Sequence, residues 1–437
     1  MSDSSKSSDS SKSSDSSKSS DNSDSSENSD SSENSDSSEN SSQISLSNDD
    51  VKDYNQNLDL EGVTINNYNI LCELGKGASS IVWLAYDINL SKYFAIKVQD
   101  ASEYTKGKDE NNFMKTIPKN LECINQLFYD FTEEYDNKKY LCSVYQLHCC
   151  DLDFVIRKSQ YKGGLSVNIV KNIMMQILNA LNYLHNNLKV YHGDIKTDNI
   201  LLKGTSKYIN NIIGLYNKMN FNEIYKKTKN EYNKKLTSKK KYIIKSKIHS
   251  EIYNTIKPKI NGIKKNYYYE IDSNYINKPI VCLADFGSFV EDGKYYDESF
   301  GTRYYRSPEN ILVGNSSFPN DIWALGCVFY ELITGELLFI PNKTKNYSRD
   351  EYHLKLIEEL CGTFDKNFLK TTKLANKYFD SKKKLFINEN LNFKNILEDK
   401  MGSNHIFLPI IKSMLIINPK DRINVKDVIK CLNNIIV

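Results

Sequence analysis

The segment His192-Gly193-Asp194-Ile195-Lys196-Thr197-Asp198-Asn199, followed about eighty-five positions later by Asp285-Phe286-Gly287, constrains this chain more than any other feature. It places an acid, a cation and an amide within a few positions, and a second carboxylate follows. Phosphoryl transfer asks for this set. A carboxylate orients an attacking hydroxyl and accepts its proton, a cation serves the transferring group, and two oxygen ligands hold Mg²⁺ against nucleotide phosphates. On this reading Asp194 and Lys196 are the catalytic candidates, and Asn199 and Asp285 the metal ligands.

The companion parts occur in the expected order. Upstream, Leu74-Gly75-Lys76-Gly77-Ala78-Ser79-Ser80-Ile81-Val82 has the makings of a glycine-rich loop between two strands, where backbone N–H groups approach phosphates. Alone it fits a plain hairpin equally well, because Ser80 stands at the third glycine position. Fifteen residues past Val82, Tyr93-Phe94-Ala95-Ile96-Lys97-Val98 is an apolar run interrupted by one lysine. Such a lysine either snorkels to solvent or contacts the nucleotide's phosphates. The second role, and an acidic partner on the next helix, are what the resemblance named below implies, with Glu110 preferred and Asp109 competing.

Composition bounds the rest. A chain of 437 residues holds a two-lobed domain plus extra segments, since single cores seldom grow past about 250 to 300 residues. The net charge of +3 hides segregation: residues 1–42 carry ten acids against three lysines, and residues 203–279 carry eighteen lysines against five acids. The nine cysteines show no C-x₂-C spacing, and no apolar run suits a signal segment or a bilayer span. A reducing compartment, cytoplasm or nucleus, and no membrane association are expected. Abundant asparagine, lysine, isoleucine and tyrosine suggest an AT-rich genome, such as that of a protist or a large DNA virus acting in its host cell.

Residues 1–48 repeat a serine- and acid-rich hexad that cannot bury enough apolar surface to offset chain entropy, so a disordered tail is expected. Short apolar runs over 68–98, a helix near 106–117 and two further strands outline a small lobe. After Ser166, Val170, Ile173, Met174, Ile177, Leu178, Leu181 and Leu184 recur at three- and four-residue steps, the pattern of a helix with one buried stripe. Asp321 to Leu332 is nearly apolar all round and reads as a central buried helix. Between Leu202 and Ile280 lies an insert of almost eighty residues, with helix expected near 222–232. Its ends join neighbouring strands and loop-closure cost grows slowly with length, so it reads as a peripheral basic appendage, removable without loss of activity. Lys239-Lys240-Lys241 offers polyanion binding or nuclear targeting, against the plainer reading of a solvated surface.

With these residues in hand, the chain resembles eukaryotic protein kinases from Tyr68 to Ile436. Within them it is most similar to the SR-protein kinases of the CMGC group, which phosphorylate serines in Arg/Ser-rich segments. The narrower resemblance rests on Ser80 with Ile81-Val82-Trp83-Leu84, on Gly193 where most kinases carry arginine, on the long insert, and on Phe339-Ile340-Pro341 with Tyr347 to His353. The implied fold is α+β and bilobal, with a β-rich N-lobe over 68–147 and a helical C-lobe over 148–437 that contains the insert at 203–279. The resemblance implies ATP and Mg²⁺ as cofactors, with the residues from Leu74 to Val82, Lys97 and Glu110 on the nucleotide. It also implies protein substrates with Ser/Thr targets, Arg/Ser-rich ones included, and a monomer. Tyr145 would precede a hinge at 146–148 that meets the adenine. Asp321 would anchor the catalytic-loop backbone, Glu309 would pair with Arg422, and Asp350, Glu351 and Glu359 would line an acidic docking groove. With Gly193 offering no grip for a phosphate, activity without activation-loop phosphorylation is expected. Two rivals stand beside this reading: a generic CMGC kinase, and a kinase-shaped scaffold that works by binding.

Overall fold

Continuous apolar runs become strands wherever both of their faces are covered. The computed structural model describes residues 58–436 apart from 78, 136, 233–234 and 295–297, so the tail expected to be disordered and Ala78 of the glycine loop lie outside the described residues. Six antiparallel strands form the small lobe: β1 (Thr64–Ile65), β2 (Tyr68–Lys76), β3 (Ser80–Asp87), β4 (Lys92–Gln99), β5 (Leu127–Tyr135) and β6 (Lys138–Tyr145), in the order β1-β2-β3-β4-β6-β5. The sheet thus begins ahead of Tyr68, the expected edge of this lobe, because Thr64 and Ile65 pair with Asn69 and Tyr68. Helix α1 (Tyr104–Met114) lies between β4 and β5. Side chains alternate across the pleat. Ile81, Trp83 and Ala85 of β3 pack with Ile70, Ile96 and Val98 on one face, while Leu84 and Tyr86 pack with Leu71, Cys72 and Ala95 on the other.

The large lobe follows a two-residue link: β7 (His148–Asp151), α2 (Leu152–Arg157), α3 (Val167–Tyr183), β8 (Val190–Tyr191) and β9 (Ile200–Lys203). The expected stripe of α3 is buried from Val170 to Leu181, and Leu184 is buried in the turn that continues it. After the insert come β10 (Val281–Leu283), β11 (Val290–Glu291), α8 (Pro308–Ile311), α9 (Phe318–Thr334) and α10 (Arg349–Cys361). The central helix α9 is buried on every side from Asn320 to Leu332, and Gly335 in the left-handed region (φ 75°) ends it. Arg422 donates to both oxygens of buried Glu309 at 2.7 and 2.9 Å.

Residues 203–279 depart from expectation in their placement. Their ends do join neighbouring strands, with Val281 opposite Leu202, but the segment folds into α4 (Lys207–Lys218), α5 (Phe221–Asn230), α6 (Ser238–Tyr267) and α7 (Ser273–Asn277). Ser206, Thr237 and Asp272 cap three of these helices through their side chains. Ile209, Ile212, Tyr216, Ile248, Ile252 and Ile256 are buried, in one cluster with Leu71, Leu84, Tyr86 and Ala95 of the small-lobe sheet. A buried chain of hydrogen bonds seals the contact. Asn69 donates to the Tyr216 hydroxyl (2.8 Å), Tyr216 meets His249 Nδ1 (3.1 Å), and His249 Nε2 donates to the Ile70 carbonyl (2.9 Å). Burial pushes the His249 pKa down to about 4, so the ring is neutral and satisfied on both sides. The insert is therefore no peripheral appendage. It leaves the large lobe and covers one face of the small one, because that face is apolar and needs a partner.

Candidate active site

Three charged groups from three segments meet in the cleft. Lys97 on β4 lies 2.9 Å from Glu110 on α1 and 2.7 Å from Asp285. The choice between the two acids on α1 is resolved for Glu110, which is buried, whereas Asp109 borders an outer cavity of about 690 Å³ with Phe113 and Phe289. Glu110 also accepts from the Phe286 backbone N–H at 3.2 Å, so one carboxylate ties the helix to both the lysine and the loop. Asp285 sits in the left-handed region (φ 61°), while Phe286 is buried against Phe113 and His192. Burial works to lower the Lys97 pKa, but Asp285 and then Glu110 outweigh it and hold the amine charged. Reciprocally, Lys97 pulls Asp285 down to about 2.

Asp321, at the start of α9, fixes the catalytic loop. It accepts from the backbone N–H groups of His192 (2.8 Å) and Gly193 (3.0 Å) and bonds His185 Nε2 (2.9 Å). Asp194 then has both oxygens engaged, Oδ1 by the Thr302 N–H at 2.7 Å and Oδ2 by Lys196 at 3.0 Å. Burial raises its pKa, Lys196 and Thr302 lower it by more, and the carboxylate stays ionised. Lys196 also donates to the Thr302 hydroxyl at 2.8 Å. Sequence reasoning missed Thr302, which clasps acid and cation together. Its only signal was its place beside Gly301, since the pairing joins residues about a hundred positions apart.

Asn199 donates to the Asp194 carbonyl at 2.8 Å, which leaves its own oxygen as the available donor. With the half-exposed carboxylate of Asp285, this makes a two-oxygen set suited to a hard divalent cation that takes its other ligands from phosphates and water. Among the described residues no three His, Cys, Asp or Glu side chains group as metal ligands. In the glycine loop, Gly77 N–H donates to the Ser80 carbonyl (2.9 Å). A Cβ built on Gly75 meets nothing within 4 Å, and one on Gly77 meets only Ser80 O at 3.7 Å. Neither has a positive φ, so nothing in the protein itself requires glycine at either position.

Gly193 is held at φ 80°, and a Cβ there would fall 2.4 Å from the Ser288 carbonyl oxygen. Several side chains hold the segment from Ser299 to Glu309 in place. Arg306 donates to the Gly301 carbonyl (3.0 Å) and Ser299 (3.1 Å), and Arg303 pairs with Asp350. The three acids expected to line a docking groove each have a partner within the chain. Asp350 is neutralised by Arg303, Glu351 closes a capping box on Ser348, and Glu359 accepts the backbone N–H groups of Leu391 (2.7 Å) and Phe393 (2.9 Å).

The chain matches the protein kinase domain over residues 68–213 and 271–431, the gap falling within the insert. It is 31% identical to the serine/threonine-protein kinase SRPK of Physarum polycephalum over 73% of this chain and 72% of that one. It is 28% identical to a chain of Acanthamoeba polyphaga mimivirus named as a serine/threonine-protein kinase, over 83% and 84%. SRSF protein kinase 3 of Mus musculus is 25% identical over 73% and 76%. The crystal structure of a kinase domain superposes with a TM-score of 0.58 at 24% identity, covering 84% of this chain and 96% of its own, which supports the fold. Among the described residues no helix is long and apolar enough to cross a membrane. Enzymes of this family use ATP and a divalent metal. The chain belongs to the protein kinase family and is a serine/threonine kinase similar to the SR-protein kinases.

Proposed function

We propose that Asp194 orients the substrate hydroxyl and accepts its proton, that Lys196 offsets charge on the transferring phosphoryl group, and that Lys97, fixed by Glu110, grips the nucleotide's inner phosphates. Asn199 and Asp285 would hold Mg²⁺, which when bound screens the phosphates from the incoming hydroxyl. The residues from Leu74 to Val82 cover the nucleotide. The observation that carries this reading is the joint arrangement of Lys97, Glu110 and Asp285 with Asp194, Lys196 and Thr302. Asp194→Ala is expected to abolish transfer to Ser/Thr peptides while ADP and ATP still bind within a few-fold of wild type. Nucleotide binding by the wild type without transfer to any peptide pool would favour the scaffold reading.

The segment's docking by protein groups, together with Gly193, supports activity without phosphorylation between Asp285 and Glu309. Enzyme treated with phosphatase should keep its turnover. Arg/Ser-rich targets are supported by the likeness to SRPK and SRSF protein kinase 3. Asp350, Glu351 and Glu359 each hold an internal partner, and exposed Asp198 beside Lys196 offers a further acid to a basic residue near the target serine. A positional-scanning peptide library tests this. Selection of arginine next to serine supports it, and selection of proline after serine favours a generic CMGC kinase.

A further inference from the structure

Beside the link between the lobes, apolar side chains of the sheet share a cluster with side chains of the insert. Leu74, Val82 and Ala95 from the sheet and Leu147 from the link between the lobes belong to one cluster. A purine is flat, apolar on its faces and polar at its edge, so such a cluster takes the faces while the link's backbone meets the edge. The same cluster contains two insert tyrosines, Tyr208 at the start of α4 and Tyr268 just past α6. The Tyr268 ring meets Tyr208 edge-on with centroids 5.5 Å apart, and meets Phe154 on α2 edge-on at 5.4 Å. It therefore spans from the cluster under β2 to the helix that follows the link. Burial, then Tyr269, Asp151, Glu73 and Cys150 raise its hydroxyl pKa, in keeping with a ring set between β2 and the junction of β7 with α2. Tyr208 is buried behind it, its hydroxyl reaching the Cys72 thiol on β2.

We propose that Tyr268, backed by Tyr208, is the outer wall of the nucleotide site, a specificity-determining residue supplied by the insert that rejects nucleotides enlarged at their purine or ribose end. This rests on the kinase reading. A tyrosine that only packed the insert against α2 would leave nucleotide selectivity untouched, so selectivity is the readout.

The full-length protein is titrated calorimetrically with ADP and with 2′(3′)-O-(N-methylanthraniloyl)-ADP, the same nucleotide enlarged on its ribose. Wild type should bind the enlarged nucleotide at least ~10-fold more weakly than ADP, and Tyr268→Ala should bring the two within about twofold. Tyr268→Phe should keep the wild-type ratio. Tyr268→Leu, which preserves apolar contact, gives the same reading if the alanine variant does not fold. A wild-type ratio near one, or a ratio unchanged in Tyr268→Ala and Tyr268→Leu, overturns the wall. Failure of the wild type to bind ADP at all would instead overturn the kinase reading beneath it.

Discussion

Lys97 and Glu110 make a pair whose value depends on what each also holds. The lysine reaches Asp285, and the glutamate reaches the Phe286 N–H, so loss of Glu110 removes a positioning contact from both the nucleotide side and the loop. Asp109, one residue earlier on the same helix, points to the outer cavity. Glu110→Gln should therefore lower kcat/KM by roughly 100-fold, the scale seen when one preorganised electrostatic partner is lost. Asp109→Asn should leave it within about twofold of wild type. Steady-state kinetics with a Ser/Thr peptide separates the two, and equal effects would mean that the helix turns in solution. At the same scale Gly193 does two jobs. It fills a left-handed position with Ser288 O too close for a Cβ, and it removes the arginine fork that would grip a phosphate.

The insert helices matter as elements because they complete the small lobe. Without them Leu71, Leu84, Tyr86 and Ala95 would face water on a sheet whose other face is already packed. A chain joined from Lys203 to Pro279 is expected to aggregate or lose its cooperative melt, the reverse of what the charge of this segment suggests by itself. A milder probe is His249→Ala, which leaves the Ile70 carbonyl and the Tyr216 hydroxyl short of a partner in a buried network. It should cost about 2 to 3 kcal/mol in chemical denaturation. A shortened chain that melts normally and turns over peptide would refute this account.

At the scale of the whole molecule, two groups with shifted titration act on stability in opposite directions. Asp151, the cap of α2, is pushed up to about 7, first by burial and then by Asp198 and Asp153, against the hydrogen bond from Phe154 N–H. Its folded value lies above its unfolded one, so the native state holds a proton that the unfolded chain has released. Stability from this group is present below about pH 4 and lost as pH rises to 7, by up to ~1.4 kcal/mol per unit. His249 acts in the opposite sense: its folded value of about 4 lies below the ordinary 6.5, so stability falls as pH drops through that window. Asp151→Asn keeps a capping side chain and removes the charge. Its melting temperature should exceed wild type at pH 8 and match it at pH 4, and a constant difference across the series would rule out this assignment.

The local chemistry of catalysis was legible in the chain because it is carried by short segments. His192 to Asn199, the Asp285-Phe286-Gly287 turn, the stripe of α3 and the all-round apolar α9 each declare themselves through residue type and spacing. Pairings that also rest on a family pattern, such as Asp321 on the catalytic-loop backbone and Glu309 with Arg422, were legible too. What sequence left open depended on direction in space. Glu110 and Asp109 are adjacent in the chain but diverge by about 100° around a helix, so only the helix's orientation selects one. Asp350, Glu351 and Glu359 read as a charged groove from sequence, and only the structure shows that each also has a partner within the chain: Arg303, Ser348 and the Leu391 and Phe393 N–H groups. The insert was misjudged because its eighteen lysines outweigh its isoleucines in any average, while the isoleucines recur along one side of α6. The complementary sign was present in β3, where Ile81 to Tyr86 is apolar without alternation, the mark of a strand covered on both faces. The sequence could announce that a second cover was needed. Only the tertiary structure could say that it comes from a segment more than a hundred residues away, because burial of two apolar faces rewards their meeting regardless of the chain length between them.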